Sequence, residues 1–99
     1  MTFTVVARCS KSGQAGVALA TVSIAAGGLC PFYTSAGDII VSQAYANRDT
    51  GLALMHAMQA GRSAEQALEA AMAADAHKGF RQLLVLARSG ATLAHTGST

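Results

Sequence analysis

Charged and aromatic side chains are scarce in this sequence. Of its 99 residues, 12% are charged, 5% are aromatic and none is Trp, whereas 52% are apolar. An ordinary soluble domain contains about 25% charged residues. The deficit predicts that a partner covers part of what would otherwise be surface. The length suffices for one domain but not for two independent cores.

Other absences exclude classes of function. The formal charge is only +2 and the seven Lys and Arg are scattered, so no basic patch indicates nucleic-acid binding. No apolar run reaches the roughly 18 residues of a membrane span, and the N-terminus lacks the pattern of a signal peptide. We therefore expect a cytoplasmic protein. Cys9 and Cys30 have no Cys-x-x-Cys spacing and are expected to be free thiols, and no His/Cys cluster indicates a metal or a cofactor.

The residue pattern in the first third of the chain predicts strands. Residues Thr2 to Arg8 are rich in β-branched side chains, a polar turn follows, and Gly16 to Ile24 reads as the returning strand of a hairpin. Pro31 is expected to keep the next segment out of regular structure. A third strand is predicted from Asp38 to Ala44.

Two helices are predicted next. Thr50 or Asp49 can cap a helix over residues 52–60, which stops at Gly61. Ser63 and Gln66 have the spacing of a capping box, and this second helix is expected to run to about residue 76.

The last predicted elements are two strands, Gln82 to Ala87 and Ala91 to His95. A strand as continuously apolar as Leu83 to Leu86 is normally covered on both faces. The two helices can cover one face. To cover the other face, we predict a second sheet, supplied by another copy or by residues after Thr99.

Two segments carry candidate functional residues. His95 ends a strand and opens the polar segment from residue 95 to 99, which could also be a simple polar tail, whereas His56 and His77 are expected to be structural. Gln43 and Asn47 carry amides that can donate to an oxyanion, and Tyr45 between them adds a phenol; Asn and Gln also satisfy turn backbone routinely.

Arg81 and Gln82 form a third polar pair, which could bind an anion or end a solvated loop. No Gly-x-Ser-x-Gly elbow or other nucleophile signature is present.

The sequence resembles a bacterial family of unknown function. The resemblance runs in order over nearly the whole chain and is carried by residues 1–8 (MTFTVVAR), 16–20 (GVALA), 42–47 (SQAYAN), 81–82 (RQ) and 95–97 (HTG). Members of that family resemble N-terminal-nucleophile (Ntn) hydrolases, in which two stacked antiparallel sheets lie between helical layers. The implied fold is an α+β, four-layer αββα sandwich, of which residues 1–99 form the N-terminal part and a second chain the remainder.

The resemblance also implies an activity. Family members continue well beyond this point, and a Cys follows the His-Thr-Gly motif within a few residues. In Ntn hydrolases a Ser, Thr or Cys cleaves the peptide bond before itself, and the freed α-amine then serves as its base. Cleavage after Thr99 would leave a companion β chain that begins with the nucleophile; truncation, adventitious proteolysis and a short gene are the alternatives.

The resulting hypothesis is an autoprocessed hydrolase of a small amide or cyclic amide. Gln43, Tyr45 and Asn47 would bind substrate, His95 and Thr96 would act in catalysis, and Thr99 would be the cleavage junction. Thr2 is a weaker candidate nucleophile because Met1 blocks its amine.

The alternative hypothesis is a non-catalytic ligand-binding module that keeps an Ntn-like shell. Such a module would assemble as a homo-oligomer through its uncovered sheet. Neither hypothesis needs a cofactor, and a higher oligomer is expected.

Overall fold

A computed structural model describes residues 2–21, 31–44 and 48–98. The fold is mixed α+β, with two antiparallel sheets: a hairpin, β1-β2, and a four-stranded sheet in the order β3-β4-β5-β6. No described helix is both long enough and apolar enough to cross a bilayer. In chain order the elements are β1 (Thr2–Arg8), β2 (Ala15–Thr21), β3 (Pro31–Tyr33), β4 (Ile39–Ala44), α1 (Arg48–Gln59), α2 (Ala64–Ala74), a 3₁₀ turn (Lys78–Phe80), β5 (Arg81–Leu86) and β6 (Thr92–Thr96).

The predicted N-terminal hairpin is confirmed. Thr2 pairs with Thr21 and the register continues without interruption to Arg8 opposite Ala15. Gly13 closes the turn with a φ of 76°, a left-handed conformation that glycine adopts at little cost. The predicted continuation of β2 to residue 24 lies outside the described residues.

The segment after Pro31 is a strand, so the prediction that Pro31 keeps it irregular was wrong. Pro31 pairs with Val41, and Tyr33 pairs with Ile39. Pro31 is the first residue of a strand at the edge of the four-stranded sheet. Proline is tolerated there because its missing N–H is not needed by a neighbouring strand.

The bounds of both helices differ from the prediction. Helix α1 begins at Arg48, so Asp49 and Thr50 lie in its first turn and do not cap it. Helix α2 ends at Ala74, where Asp75 takes an extended conformation with φ −98° and ψ 109°. The carboxylate of Asp75 is bound to Arg81, which ties this position to the sheet and ends the helix early.

The connection between the helices forms as predicted. Arg62 N donates to Ala57 O over 3.1 Å, and Gly61 has a φ of 96°, which together make a glycine-terminated helix end. The capping box is also confirmed: Gln66 N donates to Ser63 Oγ over 3.1 Å, and Ser63 N donates to Gln66 Oε1 over 3.2 Å.

The helices cover one face of the four-stranded sheet. Alternate residues of β4 and β5 face them, because side chains of a strand alternate between its two faces. The buried cluster on this side comprises Phe32, Ile40, Leu54, Ala67, Ala71, Met72, Leu83 and Val85.

The hairpin covers the other face. Ile39, Val41 and Leu86 form a second buried cluster, against which Val6, Val17, Leu19 and Leu84 pack. The apolar strand β5 is therefore covered on both faces, as its composition predicts. The expectation that the cover of this face must come from outside residues 1–99 was wrong, because the two-stranded hairpin itself packs on it.

The outer face of the hairpin is exposed and apolar. Phe3 is 66% exposed and Val5 is 67% exposed, while Val6, the next residue along β1, points inward and is half-buried. On the neighbouring strand Ala18 and Ala20 are exposed as well. The composition-based expectation of a covering partner stays a prediction, and this is the exposed apolar surface that such a partner could cover.

Close packing of α1 on β3 requires a glycine. A Cβ at Gly51 would lie 2.2 Å from Phe32 Cε2, and the Arg48 guanidinium lies 5.1 Å from the centre of the same ring.

The Gly51→Ala variant is expected to lose about 1–3 kcal/mol in its free energy of unfolding, because overpacking displaces the ring. Urea unfolding measures this. Gly16→Ala is the matched control, since no atom lies within 4 Å of its added Cβ; equal losses in both variants would contradict the packing.

Candidate functional site

Three polar residues form one row across the sheet. Gln43 of β4 pairs with Gln82 of β5, and Gln82 pairs with Thr96 of β6. Gln43 follows Ile39 and Val41 at alternate positions, so it shares their face. The three polar side chains therefore face the hairpin, at the end of the sheet where β4 and β6 finish and β5 begins.

Hydrogen bonds join this row to the hairpin. Thr4 Oγ1 donates to Gln43 Oε1, Gln43 Nε2 donates to Gln82 Oε1 over 2.6 Å, and Gln82 Nε2 donates to Thr96 Oγ1 over 3.5 Å. We call these four residues the polar row. Each amide accepts a hydrogen bond at its oxygen and donates one from its nitrogen, so the chain of bonds has a single direction, from Thr4 to Thr96.

A small cleft of about 140 Å³ opens on the polar row. Exposure increases from β4 to β6: Gln43 is only 9% exposed, Gln82 is half-buried and Thr96 is exposed. None of the described residues that line the cleft is charged; they are Thr4, Gln43, Gln82, Leu83, Leu84, Ala94 and Thr96. The cleft therefore suits a neutral polar group, which oriented amide and hydroxyl groups can bind.

The structure separates the two residues expected to act in catalysis. Thr96 belongs to the polar row, but His95 precedes it on β6 and faces the helix side, where it pairs in register with Leu83. His95 Nε2 lies 3.1 Å from Lys78 O. Because a carbonyl oxygen only accepts, Nε2 carries the proton in this bond. His95 thus holds β6 against the 3₁₀ turn and does not join the cleft.

The glycine of the His-Thr-Gly segment is required by a close backbone approach. Gly97 N donates to Arg81 O over 2.9 Å, and a Cβ on Gly97 would lie 2.0 Å from Gly79 O. His95 and Gly97 together fix the end of β6 on the 3₁₀ turn, and this contact leaves Thr96 facing the cleft.

A buried ion pair fixes the first residue of β5. Arg81 Nε lies 2.8 Å from Asp75 Oδ2, and the two side chains are 7% and 8% exposed. Hydrogen bonding by Arg81 lowers the pKa of Asp75, and a bond from His77 N lowers this pKa further. Arg81, which the sequence offered as an anion-binding residue, thus has an acidic partner within the chain, and the pair positions Gln82 next to it.

Several predicted site residues fall outside the described residues, namely Tyr45, Asn47 and Thr99. The sequence did not predict that Thr4 and Gln82 belong to one site with Gln43 and Thr96. Two signals could have indicated it: Gln82 is the polar residue directly before the apolar run of β5, and Thr4 is a polar position on the inward face of β1.

A larger cleft of about 620 Å³ lies at the opposite end of the sheet, next to the β5–β6 turn. Its charged lining includes Arg62, Glu65 and Arg88, which are exposed. The carboxylate of Asp38 is already engaged, by Thr34 Oγ1 over 2.8 Å and by Arg88 N over 2.6 Å. This cleft contains none of the sequence-predicted site residues. Within the described ranges, no three His, Cys, Asp or Glu residues gather to hold a metal ion.

The ion pair makes stability dependent on pH. Asp75→Asn is expected to lose about 3 kcal/mol in its free energy of unfolding at neutral pH, because it leaves a buried guanidinium without its charge partner. The lowered pKa of Asp75 means that its contribution is complete above the ordinary value of 3.8 and is lost as pH falls through the lower folded value. Urea unfolding between neutral and acid pH should show the difference between the two proteins shrinking with acidity. Glu69→Gln is the control at an exposed carboxylate, and a difference that does not change with pH would contradict the role of the Asp75 carboxylate.

Comparisons with known proteins agree with this fold. The chain is similar to a Silicibacter pomeroyi protein of known crystal structure, which is described as a DUF1028 protein, with a TM-score of 0.88 and 28% identity. The similarity covers 98% of this chain and 45% of that chain. No curated protein matches the sequence. A model described as a family of unknown function (DUF1028) matches residues 2–99, and the chain belongs to that family.

Proposed function

We propose that the protein is an autoprocessed amide hydrolase of the Ntn type, with its nucleophile in the region that follows Thr99. The observation that carries the proposal is the polar row, an oriented chain of amides and hydroxyls between two sheets. It ends at Thr96, three residues before Thr99. The chain spans 45% of the length of its solved relative, which is compatible with a companion segment of similar length.

The proposed processing step is an acyl shift. The hydroxyl or thiol of the first residue after Thr99 attacks the carbonyl carbon of Thr99. The peptide C–N bond breaks, its nitrogen takes up a proton, and an ester or thioester forms. Water then hydrolyses this bond, which leaves the carboxylate of Thr99 and a free α-amine that can act as general base for the same side chain.

The same groups would serve the hydrolysis of a small neutral amide or cyclic amide. The neutral lining of the cleft favours such a substrate over an ion, because a buried charge without a partner is costly. Hydrogen-bond donors aimed at a carbonyl stabilise the oxyanion that develops on it. In this proposal Gln43 belongs to that donor chain, Thr96 supports the junction, and Tyr45 and Asn47 border the substrate. His95 supports the junction indirectly, through the fixed end of β6.

The mass of the natural, full-length protein tests the processing step. We expect two fragments whose masses add up to that of the precursor plus one water molecule, with the second fragment beginning at Ser, Thr or Cys. Replacement of that residue by Ala should leave one intact chain, because the attacking group is gone. A single intact chain for the unmodified protein would contradict the proposal.

One observation favours a second candidate function, a non-catalytic module that assembles through the hairpin. Phe3 and Val5 present an exposed apolar surface on the outer sheet, and exposed apolar patches often mark contacts between proteins. Under this alternative, the double variant Phe3→Ser, Val5→Thr should convert an oligomer to a monomer in sedimentation. An unchanged sedimentation coefficient would exclude it, and Leu52→Ser, on the partly buried α1 surface, is a control for loss of packing alone.

A further inference from the structure

We infer that Gln82 is the residue that contacts the substrate, as the donor to the carbonyl oxygen of a neutral amide, and that Gln43 only positions it. This inference rests on the proposed function and adds a specific hydrogen-bond donor to it. Sequence reasoning had placed that role on Gln43 and Asn47.

Burial and bonding separate the two glutamines. Gln43 is 9% exposed; its oxygen is occupied by Thr4 and its nitrogen donates to Gln82. Gln82 is half-buried and lines the cleft. Within the described part of the chain, its nitrogen has one partner, Thr96 Oγ1, at the long distance of 3.5 Å. An amide nitrogen has two N–H donors, so Gln82 keeps donor capacity at the cleft.

The direction of the hydrogen bonds determines which groups the exposed end of the polar row presents to the cleft. Because Gln82 Oε1 accepts from Gln43 Nε2 over 2.6 Å, the Gln82 amide cannot turn without losing that bond. Its N–H groups are therefore held towards Thr96 and the cleft. When Thr96 Oγ1 accepts from Gln82, its own hydrogen is left to donate. The exposed end of the polar row thus presents two donors.

Two neighbouring donors favour an acceptor. A carbonyl oxygen has two lone pairs and can accept both bonds, and these bonds strengthen as negative charge develops on the oxygen. The cleft of about 140 Å³ has room for a small planar group. The described residues of its lining are uncharged, so they offer no ion pair to a substrate carboxylate or ammonium. The chemical class that fits is a small neutral amide, lactam or cyclic ureide, bound through its carbonyl oxygen.

The variant Gln82→Glu tests the donor, because it keeps the size of the side chain and replaces the N–H groups with a carboxylate oxygen. In the full-length protein we expect the rates of self-cleavage and of 2-pyrrolidinone hydrolysis to fall about 100-fold or more, the usual effect of losing one oxyanion donor. Gln59→Glu makes the same chemical change at an exposed position of α1 and should leave both rates within twofold. Thermal unfolding of each variant separates a lost donor from a lost fold. A Gln82→Glu protein that folds and retains the rate of the unmodified protein overturns the inference.

A second measurement decides the case in which the unmodified protein neither cleaves itself nor hydrolyses the lactam. That result removes the proposed function, and binding then tests Gln82 alone. In ¹⁵N-labelled protein titrated with 2-pyrrolidinone, we expect the side-chain NH₂ signal of Gln82 to shift saturably while that of Gln59 stays fixed. A Gln82 signal that does not move overturns the inference.

Discussion

The packing of the β1-β2 hairpin across the four-stranded sheet is the constraint on which the rest of this structure depends. Strand β5 is apolar on both faces, and burial of both is what stabilises it at the centre of the fold. The helices cover Leu83 and Val85, and the hairpin covers Leu86. Without the hairpin, the apolar rows of β4 and β5 would face water.

The candidate site exists because this apolar interface stops one row before the sheet ends. Ile39 and Val41 are followed on the same face by Gln43, and Leu86 and Leu84 by Gln82. A buried amide is costly unless it is hydrogen-bonded, and the bonds of the polar row give both amides partners. The same register that aligns the apolar rows therefore orients the polar one. The ion pair of Asp75 with Arg81 and the backbone contact of Gly97 fix the strand ends on either side of it.

Much of the fold could be predicted from local sequence. The hairpin, the capping box at Ser63 and the helix end at Gly61 depend on residues within a few positions of each other, so their patterns indicate them directly. The strand at Pro31 was missed because its edge position, which makes proline acceptable, depends on the order of strands in the sheet. The covering of β5 by the hairpin was missed for a similar reason, since pairing between distant elements leaves no local signal.

The site was predictable only in part. Gln43, Thr96 and the His-Thr-Gly segment could be selected from residue type and resemblance. The division of roles within that segment could not, because it follows from strand alternation: His95 and Gly97 turn to the 3₁₀ turn, and Thr96 turns to the cleft. The link from Thr4 through Gln43 to Gln82 needs two sheets to meet. This link could be identified only once the positions of β1, β4 and β5 relative to one another were known.

The central claim is that the polar row forms the wall of a catalytic site completed by the region after Thr99. A crystal structure of the full-length protein measures this most directly, through the distance from Gln82 Nε2 to the hydroxyl or thiol of the first residue after Thr99. We expect this hydroxyl or thiol to border the cleft, with space for one substrate carbonyl between it and Gln82 Nε2. Gln82 Nε2 would then lie within about 3 Å of the carbonyl oxygen, and the hydroxyl or thiol within about 3 Å of the carbonyl carbon. A cleft filled by apolar side chains of the companion segment, with that residue elsewhere on the surface, would contradict it.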